Sequence, residues 1–553
     1  MASTTASRDQ ATFPEDWHAN LPPGPAFTLD AMHHPFPVSL LEGRTRSEAR
    51  AVALHEYLVP VIAIEQVRRN HYVFMRTRLV EAADEADAAR LSAPADQALM
   101  AEVGRLRERW EYEHRPALVA ATDEISQLDP PLPALPDALA TVENLRTRIW
   151  TIHFRIVTPM LFAMQLFDEL YADLFDAPES EAHTLLASIP SESTKAAIGL
   201  SDLARKVKAN GLEPHFLDGP VSGLRTRLAT MEGGDAVLAG LDAWLAEFGY
   251  RQDLGDLLEP TWLENPAPAF AAMRGYLSSD RNLRQDLEAA RRAAGEALAT
   301  TRERLAGYPA PVHERFEFLL DAARFAHFLQ DEHNSYIDQR AESHFRLFYL
   351  RAGRTLADAG LVELADDVLY LTREELGSLA AGQDDAALAA RLRQRIATRR
   401  IEIDAAKRLT PPPFLGGTPP SRPPYDTALT RGQARFFGPR TPPTGTHSDV
   451  RGTAGSRGLA TGVARIAHTL EEAGSLLPGE ILVAITTMPS WTPLFAIAAA
   501  VVTETGGPLS HCAIVAREYG IPAVVGAAAA TAVIRTGQVV TVDGTSGVVT
   551  IDG

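Results

Sequence analysis

The residues best placed to do chemistry are Gly506, Gly507, Ser510 and His511, in the run Val501-Val-Thr-Glu-Thr-Gly-Gly-Pro-Leu-Ser-His-Cys512. An apolar strand is expected to end near Thr503. The glycine pair then permits a sharp turn and close approach of another group. A helix is expected to start beside Pro508, so that free amide groups and the positive end of the helix dipole face outward as an anion site. A histidine there can carry a phosphoryl group on a ring nitrogen, with Ser510 and the glycine amides on its oxygens. Arg517 lies seven positions after Ser510, on the same helix face, and is a further phosphate candidate. The competing reading is a surface histidine at an ordinary strand–helix turn.

A second constellation follows an apolar stripe. Phe318, Ala322, Phe325 and Leu329 recur with helical spacing and mark a buried face. The same helix then turns polar. Continuing the count reaches Glu332 or His333, then Tyr336 and Arg340, while Asp331, Asn334 and Asp338 share a neighbouring face. Buried polar groups are costly unless paired or used. The functional reading is an acceptor pocket. His333 or Glu332 would be general base, Tyr336 would orient a hydroxyl, and Arg340 would hold phosphate. Asp331 and Asp338 are candidates for Mg²⁺. The alternative is a helix leaving the core for solvent. Further substrate-contact candidates are His33 and His34 in the entry segment, His153 in an apolar helix, and Arg251, for which pairing with Asp253 or Asp256 is the simpler reading.

These residues need elements to hold them. The chain has 553 residues, too many for one core. Residues 1–44 read as an irregular lead-in. Residues 45–408 are rich in helix formers and read as an all-helical acceptor domain, with two subdomains expected. Residues 409–449 carry Pro411-Pro412-Pro413, Pro419-Pro420, Pro423-Pro424, Pro439 and Pro442-Pro443, which read as a stiff extended linker without helix or central strand. Residues 450–553 alternate short β-rich runs with helices at Leu470–Ser475, Leu494–Ala498 and Ser510–Tyr519, a small α/β domain.

Composition narrows the functional classes. Lys+Arg 53 against Asp+Glu 71 gives a net charge of −18, contrary to nucleic-acid or anionic-membrane binding. A single cysteine, Cys512, excludes an internal disulfide framework. No apolar run approaches the ~20 residues of a membrane span, and the polar N-terminus lacks a signal-peptide core. The expected setting is cytoplasmic.

The run around His511 resembles the phosphohistidine (swivelling) domain of phosphoenolpyruvate-utilising enzymes, which include the pyruvate dikinases and rifampin phosphotransferase. The resemblance rests on Gly-Gly-x-x-Ser-His, Ala-Ile-Val-Ala-Arg-Glu, Gly-Ile-Pro-Ala-Val-Val-Gly, the upstream Pro489-Ser-Trp-Thr-Pro493 and the closing Val542-Asp-Gly544 with Gly547. More weakly, Phe248-Gly-Tyr-Arg251, Pro260-Thr-Trp-Leu-Glu-Asn-Pro266, Asp366–Leu376 and His33-His-Pro-Phe-Pro37 resemble stretches of the same enzymes. In layout the chain is similar to the helical and histidine domains of rifampin phosphotransferase and to the carrier subunit of phenylphosphate synthase.

The resemblance implies that His511 is the phosphoryl carrier of a dikinase-type phosphotransferase. Leu509 and Cys512 depart from the threonine and small residue typical of phosphoenolpyruvate-forming members. The sequence has no Walker-type Gly-x-x-x-x-Gly-Lys-Ser/Thr and no β-rich ATP-grasp pattern in its N-terminal half. A separate ATP-grasp protein, binding ATP and Mg²⁺, is therefore the expected partner, with no tightly bound cofactor on this chain and a small hydroxyl or carboxylate compound as acceptor. With no room for a barrel before Gly553, phosphoenolpyruvate is not expected as donor or product. Two alternatives are a non-catalytic or regulatory module keeping the carrier fold, and a ligase or condensing enzyme that activates its substrate as a phosphate ester or acyl phosphate.

Overall fold

The computed structural model of the chain describes residues 13–177, 179–186, 190–221, 223–253, 255–279, 282–382, 385–417, 425–438 and 449–552. A large helical body precedes a small α/β unit, as the change in composition predicts. The helices that matter here are α1 (Thr45–Glu56), α2 (Leu135–Phe175), α3 (Glu192–Ala209), α4 (Gly234–Phe248), α5 (Ala267–Leu277), α6 (Ala310–Asn334), α7 (Glu342–Asp358), α8 (Ala428–Phe437) and α9 (His511–Glu518). No helix among the described residues is long and apolar enough to cross a membrane.

The body is organised around α2, with α1 and α6 packed along it. Its buried row Leu139, Val142, Leu145, Ile149, Ile152 and Ile156 keeps helical spacing. The helix passes through Pro159 without ending. Proline cannot donate to the carbonyl four residues back, and the Tyr57 hydroxyl donates to that Arg155 carbonyl instead, at 2.7 Å. On α6, Ala322, Phe325 and Leu329 are buried as expected. Phe318 is 39% exposed, because Phe316, Leu319 and Leu320 form the inward face of that turn.

The helical reading of 45–408 needs one correction. Strands β2 (Val61–Arg69) and β3 (Tyr72–Leu79) form a hairpin there, and with β1 (Phe27–Leu29) and β4 (Phe414–Leu415) they make a four-stranded sheet in the order β2-β3-β1-β4. The signal is local. Val61, Ile64 and Val67 pair with Leu79, Thr77 and Phe74 across Asn70-His71, both at positive φ as a tight hairpin turn requires. The lead-in contributes β1 to this sheet, so it is not wholly irregular.

The expected linker also differs. β4 pairs with β1, and residues 428–437 form α8, capped by Thr427, whose side chain accepts from the Thr430 amide. Arg431 donates to Glu169 at 2.6 Å and Arg435 to Asp168 at 2.7 Å, fastening α8 to α2. The helix forms because Ala428–Phe437 contains no proline. Pro419-Pro420, Pro423-Pro424, Pro439 and Pro442-Pro443 lie outside the described residues.

The C-terminal unit has an eight-stranded sheet in the order β5-β12-β11-β7-β8-β9-β10-β6. Its centre is parallel: β7 (Leu459–Ala467), β8 (Ile481–Ala484), β9 (Ala500–Thr503) and β10 (Ala523–Val525). β8, β9 and β10 are buried along their whole length, which accounts for their unbroken apolar sequences. β5 (Asp449–Arg451), β6 (Thr453–Ser456), β11 (Val539–Asp543) and β12 (Val548–Asp552) complete it with antiparallel pairings. Instead of the helix expected over Leu494–Ala498, a 3₁₀ helix spans Pro489–Ala496.

Candidate active site

His511 opens α9 beyond the carboxyl end of β9, where parallel sheets place their ligands. Ser510 is the N-cap residue, in extended conformation, and its buried hydroxyl has no hydrogen-bond partner. Gly506 has φ +91°, a conformation side chains rarely adopt, and a Cβ there would sit 2.8 Å from the Ser510 hydroxyl. Glu504 braces the loop by accepting from the Thr531 amide at 2.8 Å.

The Gly507 amide donates to the Phe436 carbonyl at 2.9 Å, and a Cβ on Gly507 would lie 1.9 Å from the Arg435 carbonyl. The close approach that the glycine pair permits is therefore the C-terminus of α8, and in this arrangement the Gly507 amide serves that contact rather than an anion. Gly507→Ala is accordingly expected to push α8 and the histidine loop apart, costing about 1–3 kcal/mol of overpacking. Hydrogen exchange over residues 428–438 should quicken. Unchanged exchange would refute the clamp.

His511 is 9% exposed and neither ring nitrogen has a hydrogen-bond partner. Its Nε2 stands 3.8 Å from Asp331 Oδ1 on α6. Burial pushes the ring down to about 4, against the pull of Asp331. The imidazole is thus neutral at pH 7, the form with a free lone pair. Burial also pushes the Cys512 thiol up to about 12, removing it as a competing nucleophile.

The ring faces a cavity of about 110 Å³ between the C-terminal unit and the helical body. A single water needs roughly 10–15 Å³ on that measure, so the space suits a small molecule. Asp30, His33, Arg46, Arg50, Trp150, His153, His333, Asn334 and Asp338 line it from the body, Phe436 and Phe437 from α8, and Gly506, Ser510 and His511 from the opposite side. Segments far apart in sequence meet there.

Four expected residues share one wall: His153, His333, Asn334 and Asp338. His333 donates from Nδ1 to the Leu329 carbonyl at 2.6 Å, leaving its lone pair on Nε2. Burial lowers both His333 and His153. The rings lie 5.0 Å apart, and His153 also packs on Trp150 at 4.8 Å. From the other side His33 donates from Nδ1 to Asp30 at 2.8 Å. Burial alone would lower His33, but the charge and hydrogen bond of Asp30 outweigh it and raise the ring above 6.5. Asp30 was not legible as a site residue, although its spacing of three from His33 was the available signal.

Other expected residues lie off the cavity. Glu332 accepts from the Glu192 amide at 2.8 Å at the start of α3, and burial pushes it up to about 7. Tyr336 packs edge-on against Trp110 at 5.5 Å. Arg340 stands 5.3 Å over the Tyr250 ring, which stacks on His344. For Tyr336 and Arg340 the reason is a π-helical turn over Ser335–Ala341, which re-phases the face counted forward from Leu329. His34 lies behind the cavity and accepts from Arg46 at 2.9 Å, with burial holding it down to about 3. Arg251 is buried 5.8 Å from the Trp244 ring and 5.6 Å from that of Trp262, and burial pushes it down to about 10. Asp256, one pairing partner considered for it, instead accepts from the Ser39 and Leu258 amides. Arg517 donates to the Gly455 carbonyl at 2.9 Å and to that of Pro508, securing the loop from behind. Asp331 and Asp338 do not form the expected Mg²⁺ pair: Asp331 faces His511 and the Ser193 amide, and Asp338 faces His153.

Residues 476–547 match the family described as PEP-utilising enzyme, mobile domain. The match covers most of the C-terminal unit, which is called the mobile domain below. Residues 153–331 match the rifampicin phosphotransferase fourth domain, a span that begins at one cavity histidine and ends at the partner of His511. The chain is 37% identical over 424 residues to chondramide synthase of Chondromyces crocatus, covering 75% of this chain and 11% of that protein. It is 28% identical over 436 residues to an uncharacterised Bacillus subtilis phosphotransferase, 78% of this chain and 50% of the relative. It is 31% identical over 439 residues to rifampicin phosphotransferase of Streptomyces sviceus, 76% of this chain and 47% of the relative. The chain spans half or less of the length of these relatives.

Leu509 lies within the matched span. It is fully buried and, with Ile514, joins the hydrophobic core of the helical body. A hydroxyl-bearing residue there would lose that contact, so Leu509 helps seat the mobile domain on the body.

Proposed function

We propose that this chain is the carrier and acceptor part of a phosphotransferase. The observation that carries the reading is His511, neutral and without a hydrogen-bond partner, on a mobile domain seated over a small-molecule cavity. An ATP-grasp partner, holding ATP and Mg²⁺, charges His511 in a separate position of the mobile domain. The domain then returns to the arrangement seen here. The acceptor oxygen attacks phosphorus in line, the N–P bond breaks, and its electron pair returns to the His511 ring. His33, oriented by Asp30, takes the acceptor proton. Asp331 holds the His511 ring in place, and confinement supplies much of the rate by positioning.

The test is incubation with labelled ATP and an ATP-grasp partner, followed by search for acid-labile, base-stable phosphate and its chase into a small acceptor. A chain that never acquires such phosphate would refute the proposal and leave the non-catalytic module.

The proton step has its own signature. His33 accepts a proton only when neutral, so transfer should climb as pH rises through its elevated value, above 6.5. Asp30 and Asp338 raise that value and Arg46 opposes them. Asp30→Asn removes one charge and should move the limb down by about one pH unit or more. Single-turnover transfer from pre-charged protein measures it. An unmoved limb would exclude the pair from the step.

The likeness to a chondramide synthase supports a second reading, in which a carboxylate acceptor becomes an acyl phosphate for condensation. Hydroxylamine would trap such a product as a hydroxamate, whereas a phosphate ester would not react.

A further inference from the structure

We infer that His153, His333 and Asp338 form a binding site for one divalent transition-metal ion in the cavity wall. The ligand atoms these residues offer all lie within 4.8 Å of one another. The residues are 5%, 2% and 6% exposed. His153 Nδ1 and Asp338 Oδ2 face each other at 3.6 Å, and neither has a hydrogen-bond partner. That distance is too long for a hydrogen bond. It is close to the roughly 3.4 Å separating two ligands of a tetrahedral ion with bonds of about 2.1 Å.

His333 is prepared in the manner of a metal ligand. Its Nδ1–H is held by the Leu329 carbonyl, which fixes the tautomer and turns the Nε2 lone pair outward. Five residues along a regular helix would set Asp338 about 140° around the axis from His333. The π-helical turn over Ser335–Ala341 brings the two to one side. His153 approaches from α2. Two imidazoles and one carboxylate suit Zn²⁺, Mn²⁺ or Co²⁺ and not Mg²⁺, which takes oxygen ligands. The site thus differs from the expected pair Asp331 and Asp338, and from the expectation that this chain holds no ion of its own.

With three protein ligands, at least one coordination position opens toward the cavity, where the ion binds the acceptor oxygen and eases loss of its proton to His33. This role rests on the acceptor-cavity reading; the binding itself does not.

The experiment is titration of the chelator-stripped full chain with Co²⁺, read by ligand-field absorption. One ion per chain is expected. His153→Gln, His333→Gln and Asp338→Asn, each confirmed folded by circular dichroism, should each lose stoichiometric binding, while His511→Asn should keep it. X-ray absorption at the cobalt edge of the unaltered protein should show two imidazoles, a result that needs no variant. Absence of stoichiometric uptake, or uptake unchanged in the three variants, would overturn the site. Phosphohistidine is read in a separate assay. Cobalt bound here without phosphohistidine would sustain the metal site and defeat the transfer reading, and the converse result would do the opposite.

Discussion

His511→Asn is expected to abolish capture of phosphate from ATP and the charging partner, a loss on the order of a thousandfold or more. Asparagine keeps the size and polarity of the side chain but offers no nucleophilic lone pair. The adjacent Cys512 and Ser510 do not substitute. Burial holds the Cys512 thiol up at about 12, and Ser510 has no base within hydrogen-bond reach. Asp331→Asn should act differently. It removes the carboxylate 3.8 Å from Nε2 but not the nucleophile, so charging should slow without vanishing. Acid-labile, base-stable label, quantified per chain, measures both. Label persisting on the His511→Asn protein would place the carrier elsewhere and defeat the relay.

Arg146→Met should cost about 3–5 kcal/mol of stability, the loss typical when one partner of a buried ion network is removed. Arg146 is 0% exposed and donates to Glu42 at 2.7 Å, to Glu342 at 3.2 Å and to the Leu41 carbonyl at 3.1 Å. Trp150 donates to the same Glu342 at 2.9 Å, and Arg46 lies 4.1 Å over the Trp150 ring. Without Arg146, two buried carboxylates share Arg46 alone. Because Arg46 and Trp150 line the cavity, acceptor transfer should fall as well, even in chains that remain folded. Urea denaturation measures the first effect. Adding Glu342→Gln should restore part of the loss, because it removes one of the stranded charges. An unchanged midpoint in the single variant would show that the network does not hold the body together.

The loop around His511 was legible in the sequence because its determinants are local: an apolar strand, two glycines, a proline and a serine before the histidine, all within about ten residues. The parallel strands of the mobile domain were legible for the same reason, as uninterrupted apolar runs. The α6 stripe was legible up to Leu329. Beyond it, counting assumed a constant helical period, and the π-helical turn broke that period, sending Tyr336 to Trp110 and keeping Asp338 with His153. The hairpin at 61–79 carried its own signal in Asn70-His71 and the β-branched residues around it, but helix-forming neighbours masked it.

What sequence determined by itself was therefore the identity and setting of His511 and the alternation of helical body and α/β unit, since both follow from contacts a few residues apart. Tertiary structure alone decided which polar groups meet His511 across the cavity, that Asp30 backs His33, that Glu332 and Arg340 face elsewhere, and that α8 clamps the glycine turn. Those facts depend on how α1, α2, α6, α8 and the mobile domain pack together, and burial rather than local propensity selects that packing.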